Sequence, residues 1–293
     1  MKNMKWIAVD WGTSKLRIWA MDEFGQVLAE VRADDGMAGL NQNDYEKVLL
    51  SHISGWLTDE VTPVIACGMV GSRQGWFEAP YAKVPTKAAA KYVNVDIADR
   101  RFSLSIVSGV MQSHKADVMR GEETQISGFL VGQPNFEGVI CLPGTHSKWV
   151  QIEAGEIKQF QTAMTGEIFG LLSQKSVLRH SQGSWSDEAF KQAFEDIYNA
   201  PENALSSLFS IRAQDLLNGD GHGVARLSGS LIASEFAGMK HYWQGQTPVL
   251  IGAGELVRLY QLGFELLDLE VKALRAAPLT MAGLHRVYEE VNL

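Results

Sequence analysis

Residues 5–32 read KWIAVDWGTSKLRIWAMDEFGQVLAEVR, and residues 138–162 read GVICLPGTHSKWVQIEAGEIKQFQT. Each opens on a short apolar run and then a Gly-Thr pair, Gly12-Thr13 in one and Gly144-Thr145 in the other, with Lys15 and Lys148 close behind. An alternating stretch follows (LRIWAM, KWVQIE), then a turn (DEFG, EAGE), then another stretch of strand character. Alternation over a few residues marks a half-buried strand, and a short Gly-containing link between two such runs makes a hairpin. Both segments therefore read as strand, tight Gly-Thr turn, strand, turn, strand. The same unit returning 132 residues later predicts two related domains, each opening on a three-stranded meander.

Beyond each meander the pattern becomes α/β. In the first half, Asp44 to Leu57 has a helical period, residues 62–70 (TPVIACGMV) and Phe102 to Val110 read as strands, and Asp117 to Leu130 reads as a helix. In the second half, Thr165 to Arg179 and Asp187 to Tyr198 are amphipathic helices. A longer helix from Val224 to Trp243 follows, then a buried strand at 247–254 (TPVLIGAG) and a helix from Glu255 to Leu262. Residues 75–91 read as a loop. Strands alternating with helices predict a largely parallel core in each half. The expected domains are 1–133 and 134–293.

The chain has 293 residues, 46% of them hydrophobic and 20% charged, which is enough apolar material for a sizeable core. A net charge of −8 excludes broad contact with a nucleic-acid backbone, which needs a positive footprint, but leaves room for a local basic cluster on an anionic ligand. Cys67 and Cys141 sit in apolar runs and read as buried thiols, not as a disulfide framework or a four-Cys zinc site. The run IAV before Asp10 is too short for a signal peptide, and no stretch reaches the roughly 18 apolar residues of a membrane span. A soluble cytoplasmic protein with no membrane partner is expected; a homo-oligomer is allowed and not specified.

Three glycine turns at strand ends carry the chemistry. Gly12-Thr13-Ser14 presents successive backbone N–H groups and two hydroxyls, a cradle for phosphate oxygens. Asp10 just before it either caps the hairpin turn or holds Mg²⁺ through water, since that ion prefers a carboxylate plus substrate phosphates. Gly144-Thr145 is the repeat partner, and two such cradles facing each other could clamp one polyphosphate. Gly252-Ala253-Gly254 lets a backbone approach a flat ligand, but Val257 stands where a dinucleotide fingerprint has its third glycine, so an NAD-dependent dehydrogenase is a weak alternative. No Walker A run, nucleophile elbow or paired-His zinc motif occurs. Trp11, Trp76 and Trp149 beside the turns read as packing. Lys15 and Lys148 read equally as phosphate ligands or solvated strand ends.

Taken together, DWGTSKLRIW, CGMVGSRQGW, VMRGEETQISG, LPGTHSKW, TGEIFGLL and LIGAGELVRLY resemble, in order over essentially the whole chain, the 2-dehydro-3-deoxygalactonokinase family of the sugar kinase/Hsp70/actin superfamily. The resemblance implies a two-domain actin-like ATPase (duplicated ribonuclease H-like) α/β fold with a cleft between the domains. It also implies ATP- and Mg²⁺-dependent phosphorylation of a keto-deoxy sugar acid at its 6-hydroxyl in galactonate breakdown. ATP would lie at Gly12, Thr13, Ser14, Gly144 and Thr145, with Gly252 and Gly254 near the adenosine. A non-catalytic nucleotide-binding regulator of the same fold is the other alternative. Leu142-Pro143 precede the second turn, where the superfamily usually has an Asp, so the base must come from elsewhere. Arg120-Gly121-Glu122-Glu123 opens the linking helix. Glu123 is the expected base, with Glu122 and then Asp117 as rivals, although two Glu in a first turn also simply suit the helix dipole. Arg73 is expected to bind the substrate carboxylate, held rigidly in its Gly-rich turn with Gly71 and Gln74 assisting. Arg17 and Arg120 are rivals that read more simply as structural ion pairs.

Overall fold

The computed structural model describes residues 3–219 and 221–291, so the outermost residues of both expected domains lie outside it. The chain divides into two compact units. Unit 1 gathers residues up to 137, 152–159 and those from 275 onward; unit 2 gathers 138–151 and 160–274. The single cut expected at 133/134 is thus replaced by a division in which the C-terminal helix returns to the first unit.

Unit 1 contains β1 (Trp6–Trp11), β2 (Leu16–Met21), β3 (Val27–Ala33), α1 (Tyr45–Ile53), β4 (Thr62–Gly68), β5 (Ala82–Lys83), β6 (Tyr92–Val95), β7 (Phe102–Val107), β8 (Val110–Gln112), β9 (Asp117–Met119) and α2 (Glu122–Gly132). Its main sheet runs β3-β2-β1-β4-β7-β6, with β1, β4 and β7 parallel to one another. Both faces of β1 are covered. Ile7, Val9 and Trp11 pack with Tyr45, Leu49 and Ile53 of α1, while Trp6 and Ala8 pack on the opposite side. This is why the WIAV run is continuously apolar, as a strand buried on both faces must be. A small sheet, β5-β8-β9, lies in the stretch expected to be loop and helix.

Unit 2 contains β10 (Gly138–Leu142), β11 (Ser147–Glu153) as far as Gln151, β12 (Glu156–Ala163) from Phe160 onward, α3 (Thr165–Lys175), α4 (Asp187–Asn199), α5 (Ala204–Asn218), α6 (Gly223–Gly238), α7 (Lys240–Trp243), β13 (Val249–Gly252), α8 (Gly254–Glu265) and β14 (Lys272–Arg275) as far as Leu274. Its sheet runs β12-β11-β10-β13-β14, the order of the first five strands of unit 1's sheet. The repeat in sequence is therefore a repeat in topology. A core of aromatic rings, Trp149, Phe190, Phe194, Phe236, Tyr260 and Phe264 among them, fills the space between this sheet and α4, α6 and α8.

The last helix, α9 (Ala276–Val291), belongs to unit 1, where Leu284 and Val287 join Trp6 and Trp19. It packs on α2 almost backbone to backbone. A Cβ added at Gly128 would fall 1.9 Å from the Leu279 carbonyl oxygen, and one at Gly283 would fall 2.0 Å from that of Thr124. No described helix is long and apolar enough to cross a membrane.

Candidate active site

In unit 1 the first glycine turn closes with the Gly12 N–H donating to the Lys15 carbonyl at 2.9 Å. Residues 36–38 brace it from below: Met37 and Ala38 donate to the carbonyls of Gly12 and Thr13, both at 3.0 Å. Thr13 and Ser14 remain exposed at the tip. Asp10, next to last in β1, lies directly across from Arg17 on β2, and the two side chains form an ion pair. Burial pushes the Asp10 carboxyl above its ordinary value, Arg17 pulls it down, and Glu122 pushes it up. The Arg17 ion pair expected from sequence is thus present, and its partner is the proposed metal ligand. A cavity of about 440 Å³ is lined by Asp10, Gly12, Lys15, Arg17, Arg32 and Asp34 among others. Lys15 is exposed and paired with Asp34.

Two glycines with left-handed φ make room beside Asp10. Gly68 (φ 91°) ends β4, and a Cβ there would lie 2.7 Å from the Trp11 carbonyl and 3.4 Å from Asp10 Oδ1. Gly121 (φ 111°) precedes α2, and its added Cβ would lie 3.4 Å from the Gly68 Cα. That kink corrects the expected helix boundary. Asp117 lies on β9, outside α2, whose first residues are Glu122 and Glu123. Glu123 is fully buried, its oxygens accepting from the Gly121 N–H at 2.7 Å and the Thr124 hydroxyl at 3.0 Å. Burial first, then the neighbouring Glu122 charge, push its carboxyl from 4.5 up to about 7. Glu122 is half-buried and accepts from the Arg120 N–H at 3.0 Å.

The loop after β4 is more open to solvent at its tip than expected. Gly71 is buried at the end of a short 3₁₀ turn, but the Arg73 side chain is 80% exposed, with Nε 3.3 Å from Glu78. Gln74 is exposed too, its carbonyl accepting from the Tyr45 hydroxyl at 3.4 Å. The turn thus does not enclose the Arg73 side chain, whose partner is Glu78. The arginine that this loop does hold is Arg120, which donates to the Ala79 carbonyl at 2.7 Å and lies 4.3 Å over the Tyr81 ring. Its Nε and Nη1 are enclosed. The structural ion pair expected for Arg120 is replaced by this carbonyl and ring.

In unit 2 the second glycine turn joins β10 to β11 and is fastened to the start of α3. The Glu167 N–H donates to the Thr145 carbonyl at 3.0 Å, and the His146 and Glu167 side chains pair. A Cβ at Gly166 would fall 2.4 Å from the Gly144 carbonyl oxygen. Lys148 is buried, with Nζ 3.0 Å from the His146 carbonyl, so it is not a solvated strand end. Beside the turn lies a mostly apolar cavity of about 460 Å³, lined among others by Thr145, Gly166, Trp185, Leu231, Leu256 and Leu259. Sequence reasoning missed this cavity because its walls come from α3, α6 and α8, whose apolar residues look like ordinary core stripes. Gly254 (φ 68°) opens α8 with nothing near its added Cβ, whereas Gly252 faces Val257 Cγ2 at 2.7 Å.

The sequence model of the 2-keto-3-deoxy-galactonokinase family matches residues 10–287, from Asp10 itself almost to the end of α9. The chain belongs to that family. It is 36% identical over 290 residues to a Rhizobium meliloti protein named as a probable 2-dehydro-3-deoxygalactonokinase, covering 94% of each chain. It is 33% identical over 294 residues to the 2-dehydro-3-deoxygalactonokinase of Escherichia coli, covering 98% of each. Among solved structures, a Sinorhizobium meliloti protein assigned as a 2-dehydro-3-deoxygalactonokinase superposes with a TM-score of 0.90 at 35% identity, covering 98% of this chain and 99% of that one. The ADPNP-bound activator of a Clostridium difficile 2-hydroxyisocaproyl-CoA dehydratase reaches 0.52 at 11% identity, covering 99% and 96%. That last likeness is of fold alone, and it agrees with the actin-like ATPase fold that the family resemblance implied.

Proposed function

We propose that this family member transfers the γ-phosphoryl group of ATP to the 6-hydroxyl of 2-dehydro-3-deoxy-D-galactonate, giving the 6-phosphate and ADP in galactonate breakdown. The observation that carries the mechanism is the close approach of Gly68, beside Asp10, to Gly121, which opens the helix bearing Glu123; the Glu122 charge raises both carboxyls. A carboxyl held near 7 is matched to taking a hydroxyl proton at neutral pH. In the reading favoured here Glu123 accepts the 6-hydroxyl proton, the sugar oxygen bonds to the γ-phosphorus, and the bond from that phosphorus to the β–γ bridging oxygen breaks. Thr13 and Ser14 offer N–H and hydroxyl donors to the transferring group, while the Gly12 N–H closes the turn on the Lys15 carbonyl.

The chemistry of the donors fits a phosphate-bound Mg²⁺. Among the described residues no cluster of three or more His, Cys, Asp or Glu forms a metal cage. Asp10 is a single carboxylate at the phosphate turn, as expected for an ion held mostly by substrate oxygens and water. When bound there, Mg²⁺ supplies charge neutralisation for the phosphates.

The nucleotide's phosphates are assigned to Gly144 and Thr145 and its adenosine to the apolar cavity beside them, entered past Gly254. A cavity of about 460 Å³ is of the size that small-molecule sites have. The dehydrogenase alternative finds no support: Val257 stands where a dinucleotide fingerprint has its third glycine, and the matching family model is that of a kinase. Arg73 remains the proposed carboxylate partner because its guanidinium is reachable, while the Arg120 nitrogens are enclosed. The test is ADP formation with ATP, Mg²⁺ and a panel of 2-keto-3-deoxy sugar acids. Turnover with the galactonate-derived acid is expected; no ADP above the acid-free rate with any of them contradicts the proposal.

A further inference from the structure

One buried carboxylate lies outside the proposed chemistry and reaches the second glycine turn by two routes. Glu235, on α6, is 6% exposed. It accepts from Trp149 Nε1 on β11 at 2.7 Å, from the Tyr260 hydroxyl on α8 at 2.6 Å, and from the Thr165 hydroxyl at the start of α3. Three donors from three elements meet on one side chain.

The direction of the bonds follows from counting hydrogens. Tyr260 has one hydroxyl proton and donates it to Glu235, which also accepts from Trp149 and Thr165. The Ser147 hydroxyl, 2.7 Å from the Tyr260 oxygen, must then donate to it. The Gly144 N–H in turn lies 3.4 Å from Ser147 Oγ, whose lone pairs are free to accept. A one-way chain runs from the backbone of the turn to the buried charge: Gly144 N–H to Ser147, Ser147 to Tyr260, Tyr260 to Glu235. Such chains polarise along their length, so the charge at one end is felt at the other. The second route runs through Thr165. That residue starts α3, two residues ahead of the Glu167 N–H that fixes the Thr145 carbonyl. The turn is thus tethered on both sides of Thr145 to the same carboxylate.

We infer that Glu235 is a positioning residue for the nucleotide, holding the Gly144-Thr145 turn in its phosphate-binding shape through Ser147, Tyr260 and Thr165. The inference rests on the proposal that this turn takes the ATP phosphates. It predicts an effect confined to the nucleotide, which a residue that only stabilises the core would not produce.

The test is nucleotide titration by calorimetry, with separate KM values for ATP and the sugar acid, on wild type, Tyr260→Phe, Ser147→Ala, their double variant and Glu235→Gln. Losing one buried hydrogen bond in the chain should weaken ADP binding and raise the ATP KM about tenfold in each single variant. The double variant should lose no more than either single one, because both break the same chain. Glu235→Gln, which disturbs both routes, should exceed them, and the sugar-acid KM should move less than twofold throughout. Unchanged ADP affinity in folded Tyr260→Phe, additive losses in the double variant, or equal rises in both KM values would each overturn the inference. If Glu235→Gln does not fold, the Tyr260 and Ser147 variants decide alone. A wild-type chain that binds no nucleotide overturns the proposed function and this inference with it, whereas normal wild-type binding with unaltered variants overturns only the inference.

Discussion

Glu123 shows what burial does to one group. Its carboxyl is raised from 4.5 to about 7, so between those values the folded chain keeps a proton that the unfolded chain has released. Stability from this group is present at low pH and is lost as pH rises through that window, by about 3 kcal/mol in all. Glu123→Gln cannot lose it. Urea unfolding at pH 4.5 and pH 8 should therefore find the variant gaining on wild type by about that amount at the higher pH; a constant difference would place the titration elsewhere. The same substitution should cost roughly 10²–10⁴ in turnover, the usual share of a general base, and remove an activity limb near pH 7. Glu122→Gln should cost less, and a reversed order would move the base by one residue. Arg73 calls for a smaller effect than a rigid arginine would. Its exposed side chain must be ordered on binding, so Arg73→Ala should cost about 1–2 kcal/mol in kcat/KM for the acid and leave the ATP KM unchanged. Wild-type kcat/KM in that variant would exclude Arg73 as a contact. The candidate residues were legible because glycines and carboxylates at strand ends are conspicuous in a sequence. Whether an arginine is tethered is not legible, since that depends on residues such as Glu78 and Ala79, which acquire meaning only in three dimensions.

At the level of elements, the α2–α9 contact sets where Glu123 stands. Gly128 and Gly283 let the two backbones touch, and a methyl group at Gly128 would land 1.9 Å from a carbonyl oxygen. Gly128→Ala should destabilise unit 1 by about 3 kcal/mol or more, because neither backbone can yield without repacking the sheet below. Denaturant unfolding checks this, and a loss under about 1 kcal/mol would mean that the helices separate easily. Gly283, together with Pro278, explains why α9 is not legible in the sequence. Pro278 and Gly283 depress local helix propensity, and the apolar stripe they interrupt is short. The α2 start was misplaced at Asp117 for a related reason. Gly121 adopts φ 111°, which a periodicity argument passes over, and the preceding residues pair as β8 and β9 instead. α5 gave no clear signal because Leu205, Phe209, Leu216 and Leu217 are exposed, so its apolar residues do not trace a buried face.

For the whole molecule, the duplicated meander was the most legible feature, since strand alternation and a glycine turn are local and repeat in register. The two sheets share one strand order, down to the parallel partner that follows the meander. The return of α9 to unit 1 was not legible, because nothing in a linear reading says which half a terminal helix rejoins. In this duplicated fold the phosphoryl acceptor is proposed to be the terminal hydroxyl of a keto-deoxy sugar acid. The most direct measurement is ³¹P and ¹³C NMR of the product formed by wild-type protein from ATP, Mg²⁺ and 2-dehydro-3-deoxy-D-galactonate. One phosphate ester, coupled to C6, should appear in step with ADP. A phosphate at any other carbon, or ADP released with no sugar phosphate, would contradict it.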